Sequence, residues 1–165
     1  MELSIYELKN NILKEKKIDG EIFLKYKDLS SEIISDLKFN ISGNVYKLND
    51  DIFIEFCYFS EFDVACGRCL KTMRYTLDNK FSSTLKEIEE DYDFDINLVM
   101  LKNDIIDISK LLYDDFIINL PSVFLCDDKC LGLCINCGID LNFDSCLCIN
   151  EYENPAFAKL KDLFK

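Results

Sequence analysis

The chain has 165 residues, a formal net charge of -12, nine cysteines and no histidine. Its 49% apolar content, with thirteen phenylalanines, supplies a core and argues against disorder, while its acidity argues against a nucleic-acid binder working through a basic face. No stretch approaches a membrane span, and the first seventeen residues lack the charged start and apolar run of a secretory signal. The expectation is a cytoplasmic protein with reduced thiols, folded as one domain with a small appended module.

In chain order, residues 2–8 alternate weakly and predict a short strand. Asp19-Gly20 reads as a turn before a strand over 21–26. Leu37, Phe39 and Ile41 alternate with polar residues towards Val45. Asn49-Asp50-Asp51 predicts a turn, and a long strand follows. In it Ile52, Ile54, Phe56, Tyr58, Phe62 and Val64 share one face, with Glu55, Cys57, Glu61 and Asp63 on the other. Cys57 therefore reads as a strand residue rather than a ligand. A further strand starts near Lys71, with Met73, Tyr75 and Leu77 on one face. Short connections between these strands favour an antiparallel meander. Residues 87–95 form an acidic run, expected to be an exposed loop.

The second half changes character. Asp107 is placed to cap a helix beginning at Ile108, whose apolar stripe is Ile108, Leu111, Leu112, Phe116 and Leu120, and Pro121 stops it. Asn154-Pro155 predicts the cap and first position of a last helix. Phe157, Leu160 and Phe164 line one side of it, and Lys159, Lys161 and Lys165 suit its C-terminal half. The fold class expected is α+β: an antiparallel meander packed with one or two helices, plus a cysteine-rich zinc-binding C-terminal segment. Residues 1–121 form the α+β part, and residues 122–165 form the cysteine-rich part packed on it as one unit.

Eight cysteines fall into four close pairs: Cys66/Cys69, Cys126/Cys130, Cys134/Cys137 and Cys146/Cys148. Eight thiols are the ligand count of two four-thiolate zinc sites, and without histidine any metal is held by sulfur or carboxylate. Cys134-Ile135-Asn136-Cys137-Gly138 and Cys66-Gly67-Arg68-Cys69 both fit zinc knuckles, tight turns in which adjacent glycines permit the φ values required. A segment as small as 126–148 cannot bury enough apolar surface to fold alone, so metal would organise it. The rival reading, thiol–disulfide catalysis or a redox switch, wants its attacking cysteine at a helix N-terminus, and none is predicted there.

How the pairs combine stays open. Cys134/Cys137 with Cys146/Cys148 closes a short loop, which costs little entropy and leaves Cys66/Cys69 with Cys126/Cys130. The alternative is one tail site from Cys130, Cys134, Cys137 and one of Cys146 or Cys148, with Cys66 and Cys69 as free thiols.

These motifs carry a family resemblance. Cys66-Gly67-Arg68-Cys69-Leu70 resembles the Cys-x-Arg-Cys-Leu signature of the YceD-like family, the large ribosomal RNA subunit accumulation proteins. The stretch from Cys126 to Asn142, completed by Cys146-Leu147-Cys148, resembles that family's cysteine-rich tail. The helix ending at Leu120-Pro121 also matches, and Asn154-Pro155-Ala156-Phe157 opens a stretch similar to its closing helix. Ile135 and Asn154 depart from the proline and aspartate frequent there. The resemblance implies a bacterial cytosolic protein needed for large-subunit ribosomal RNA accumulation, with a ribosomal protein or ribosome-assembly factor as partner.

Net charge favours a basic protein partner. The competing reading is direct RNA contact through Arg68, Lys71 and Arg74, with Tyr75 stacking on bases. Lys14, Lys16 and Lys17 read as solvated surface. No enzyme is expected: general acid–base chemistry would lack histidine, the five glycines are too dispersed for a phosphate loop, and saturated four-thiolate zinc has no open position for a substrate.

Overall fold

The computed structural model describes residues 1–25, 32–87, 98–101 and 104–148. The elements in order are β1 (Glu2–Ser4), α1 (Tyr6–Lys9), β2 (Glu15–Leu24), β3 (Leu37–Leu48), β4 (Asp51–Ala65), β5 (Thr72–Glu87), β6 (Leu98–Leu101), β7 (Ile105–Asp107) and α2 (Ile108–Asn119). The architecture is mainly antiparallel sheet with two helices. A five-stranded sheet runs β2-β3-β4-β5-β6, and β1 pairs with β7 in a small second sheet.

The period-2 pattern of β4 is the organising signal. Ile52, Ile54, Phe56, Tyr58, Phe62 and Val64 are all buried, and Cys57 and Glu61 are exposed on the opposite face. Leu37, Phe39, Ile41 and Val45 of β3 extend the same buried layer. Asn49, at φ 56°, makes the turn that sets Leu48 opposite Asp51. Met73, Tyr75 and Leu77 of β5 lie half-buried against this core.

Helix α2 covers the layer. The Asp107 carboxylate accepts from Lys110 N at 3.3 Å and caps the first turn. Ile108, Leu112 and Phe116 are buried, while Leu111 and Leu120 pack partly buried beside them. The Phe116 ring lies edge-on to Phe39 and Phe62, at centroid distances of 5.0 and 5.7 Å. A polar clasp adds to this: Tyr58 Oη donates to the Asp115 carboxylate at 2.6 Å, and Asn79 Nδ2 donates to the same oxygen at 3.0 Å.

Three expectations need correction. Asp19-Gly20 is not a turn, because β2 begins at Glu15 and passes straight through it, with Gly20 opposite Ile41 of β3. Ladder pairing with β3 overrides the local turn signal. Residues 2–8 form a strand followed by a helix, rather than one strand. The sheet is not wholly antiparallel either: β6 pairs parallel to β5, with Thr84 opposite Leu98. Glu87 closes β5, and the rest of the acidic run 87–95 lies outside the described residues, as does the helix expected from Asn154. Among the described residues no helix is long and apolar enough to cross a membrane.

Candidate metal centre

The β4–β5 connection is the first cysteine turn. Cys66 N donates to Lys71 O at 2.9 Å, and Leu70 N donates to Cys66 O at 2.9 Å. The second turn repeats this pattern at the same offsets: Cys134 N donates to Ile139 O at 2.8 Å, and Gly138 N to Cys134 O at 2.8 Å. The residue after the second cysteine is left-handed in both, Leu70 at φ 60° and Gly138 at φ 73°. Two distant segments thus adopt one backbone geometry, that of a turn presenting two thiols to one side.

The role expected for glycine is met only in part. Gly67 is not left-handed; Leu70 takes that conformation and leaves its side chain exposed. Gly67 is needed for close approach. A Cβ there would sit 2.8 Å from Val123 Cγ1, and its N–H donates to Phe124 O at 2.8 Å. This contact draws the segment after α2 onto the first turn, while Phe124 itself is buried in the main core.

The sulfurs gather in two quartets. Cys66, Cys69, Cys126 and Cys130 form one, and Cys134, Cys137, Cys146 and Cys148 the other; within each, every pair of sulfurs lies within 4.8 Å. In the first, Cys69 Sγ lies 3.6 Å from Cys126 Sγ, and Cys66 Sγ lies 3.9 Å from Cys130 Sγ. A tetrahedron with metal–sulfur bonds of about 2.3 Å has sulfur–sulfur edges of about 3.8 Å. The donor set and spacing therefore fit a four-thiolate ion. Cys57 stands apart from both quartets, exposed on β4.

The quartets differ in exposure. Cys66, Cys69 and Cys130 are buried, whereas Cys137 and Cys148 of the second are exposed. In each quartet one thiol favours the thiolate. Burial pushes Cys66 up, but amide hydrogen bonds from Cys69, Cys126 and Arg68 outweigh it and hold it at about 6. Amides of Cys137 and Asn136 likewise hold Cys134 at about 6. Their neighbours move the other way. Cys126 is pushed up to about 12, first by its hydrogen bond with Cys69 and then by burial, and Cys148 to about 12 by its bond with Cys137 and then burial. Crowded sulfurs resist gathering several negative charges without a cation.

Two residues brace this centre through contacts that the cysteine spacing did not show. Asn142 bridges the quartets from the second loop: its side-chain oxygen accepts Leu131 N at 2.8 Å, and its Nδ2 donates to Cys130 Sγ at 3.4 Å. Its one local signal is the Asp140-Leu141-Asn142 turn, in which Asp140 Oδ1 accepts both Asn142 N (2.9 Å) and Asn142 Nδ2 (2.6 Å). Arg68 is the other. Its guanidinium donates to Asp128 O at 3.2 Å and Cys130 O at 2.8 Å, and its own carbonyl accepts Leu133 N at 3.1 Å. Gly132 permits this crossing. It is left-handed at φ 77°, and a Cβ there would lie 2.9 Å from Arg68 O.

These contacts alter the basic patch expected around Arg68, Lys71 and Arg74. Arg68 is engaged with the cysteine tail, and Arg74 Nη1 lies 3.7 Å from the Asp63 carboxylate. Tyr75 does not stand free for stacking; its ring packs edge-on to Phe124 at 5.0 Å and lies 5.6 Å from Phe62.

The family model for the large ribosomal RNA subunit accumulation protein YceD matches residues 60–164. The chain belongs to the YceD family. The matched region contains both cysteine turns, the tail and α2. A stretch of 58 residues is 34% identical to the large ribosomal RNA subunit accumulation protein YCED homolog 1, chloroplastic, of Arabidopsis thaliana. It covers 35% of this chain and 18% of that protein. No solved structure matches the chain.

Proposed function

We propose that this chain is a non-enzymatic, cytoplasmic factor in ribosome biogenesis, held together by two four-thiolate zinc sites and acting through a protein partner. The observation carrying the metal reading is the pair of sulfur quartets on matching turns. Four thiolates saturate zinc, so each ion would be structural and present no open position to a substrate. In this reading residues 1–121 provide the sheet body, and of the second part, 122–165, the described residues 122–148 are metal-folded and packed on it through Gly67, Phe124 and Arg68.

The family name supplies the process: accumulation of large-subunit ribosomal RNA. A protein partner is favoured over RNA by the net charge of -12, and by the internal engagement of Arg68 and Tyr75.

Metal analysis of freshly purified, reduced protein tests the first part, with about two zinc ions per chain expected. Zinc-free protein with a normal folded spectrum would end the metal reading. Alkylation of the native protein tests the arrangement: Cys57 should label promptly, and Cys66 and Cys69 only after chelator. Filter binding to large-subunit RNA at two salt concentrations tests the partner class. A steep salt slope lost in Arg68→Ala/Arg74→Ala would move the assignment to RNA.

A further inference from the structure

Four large apolar side chains of the cysteine tail stand in solvent. Leu131, Ile135, Phe143 and Leu147 are 67%, 75%, 79% and 101% exposed. They are grouped by the turns that carry them. Ile135 lies within the Cys134–Cys137 turn and Leu147 between Cys146 and Cys148, whose sulfurs meet. Leu131 is tied through its amide to Asn142, the neighbour of Phe143. Single exposed leucines are ordinary, but four such residues on one short, cross-braced segment concentrate exposed apolar surface there. Metal cross-links hold a fold without burying such residues, which leaves them free for another use.

The same segment is acidic. Asp127, Asp128, Asp140 and Asp144 outnumber the single cation of the tail, Lys129. Among the described residues none of the four carboxylates forms an ion pair with lysine or arginine. Asp127 accepts the Lys129 amide, and Asp140 accepts both amides of Asn142. A zinc ion in each quartet would add a net charge of about -2 per site.

We propose that this segment presents a docking surface for a basic protein segment that carries apolar side chains. Apolar anchors would bury Phe143 and Leu147 at the centre, and lysines or arginines would meet the acidic rim. Phosphates would meet the same negative charge, so nucleic acid fits poorly. The inference deepens the protein-partner reading above and rests on it.

The test is fluorescence anisotropy with the full-length, zinc-loaded chain and a labelled amphipathic lysine/leucine peptide as probe. Phe143→Ser/Leu147→Ser should weaken binding about tenfold or more. Phe59→Ser, which removes an exposed ring from the sheet, should leave binding unchanged. Equal affinity in wild type and the double variant would overturn the proposal, as would equal loss in Phe59→Ser. Should the double variant lose zinc, Leu131→Ser/Ile135→Ser repeats the test with the same expectation.

Other occupants give distinct results. Tighter peptide binding after truncation beyond Glu153 would assign the face to the chain's own end and overturn the proposal. Self-association abolished by the double variant would assign it to a second copy, with the same consequence. Zinc content and RNA titration are read separately. Absent zinc with intact peptide binding therefore rejects only the metal reading, and bound zinc without peptide binding rejects only the docking face.

Discussion

Gly132 and Gly138 offer a controlled comparison of what joins the cysteine tail to the sheet. Both are left-handed, at φ 77° and 73°, so alanine at either site meets the same backbone strain, about 1–2 kcal/mol. Their surroundings differ. A Cβ at Gly138 would meet nothing within 4 Å, whereas at Gly132 it would lie 2.9 Å from Arg68 O, with Arg68 Cβ at 3.2 Å. Backbone atoms on both sides must then separate, and overpacking of this kind adds about 1–3 kcal/mol. Gly138→Ala should cost about 1–2 kcal/mol and Gly132→Ala about 2–5 kcal/mol. The excess should also loosen the Leu133–Arg68 bond and the Arg68 bracket on Cys130, making Cys66 and Cys69 easier to alkylate. Urea unfolding of the two variants at equal zinc content, with thiol labelling in parallel, measures both effects. Equal destabilisation with equal labelling would refute the close crossing at Arg68.

The sheet and tail should respond differently to chelation: hydrogen exchange should show residues 126–148 losing protection while β3, β4 and β5 keep theirs, because the aromatic core lies in the sheet. Global unfolding would contradict this. Tyr58→Phe should cost about 1.5–3 kcal/mol in chemical denaturation, by removing a hydrogen bond to the Asp115 carboxylate. Burial, then the bond to Asp115, raises the Tyr58 hydroxyl above its ordinary 10.0. A raised acid contributes stability below about pH 10 and loses it as pH climbs towards the folded value, so the alkaline fall in stability should shrink in Tyr58→Phe.

Several features needed only the order of residues. The buried face of β4 follows from strict alternation, the α2 stripe from helical spacing with Asp107 and Pro121 as its ends, and the cysteine turns from two-residue spacing. Each is a short-range constraint, readable because its cause lies within a few residues. The crossing of chain segments is a different matter. Whether Asp19-Gly20 turns or continues depends on β3 beside it, and turn propensity is weaker than a full ladder. Arg68 gave no sign of its bracing role because its acceptors, the carbonyls of Asp128 and Cys130, are about sixty residues away. Asn142 carries no cysteine spacing and becomes part of the centre only where the second loop folds back on Cys130. Spacing allowed more than one grouping of the cysteine pairs. Tertiary structure selects among them, because Phe124 docks on Gly67 and brings Cys126 and Cys130 to the end of β4, where Cys66 and Cys69 already stand.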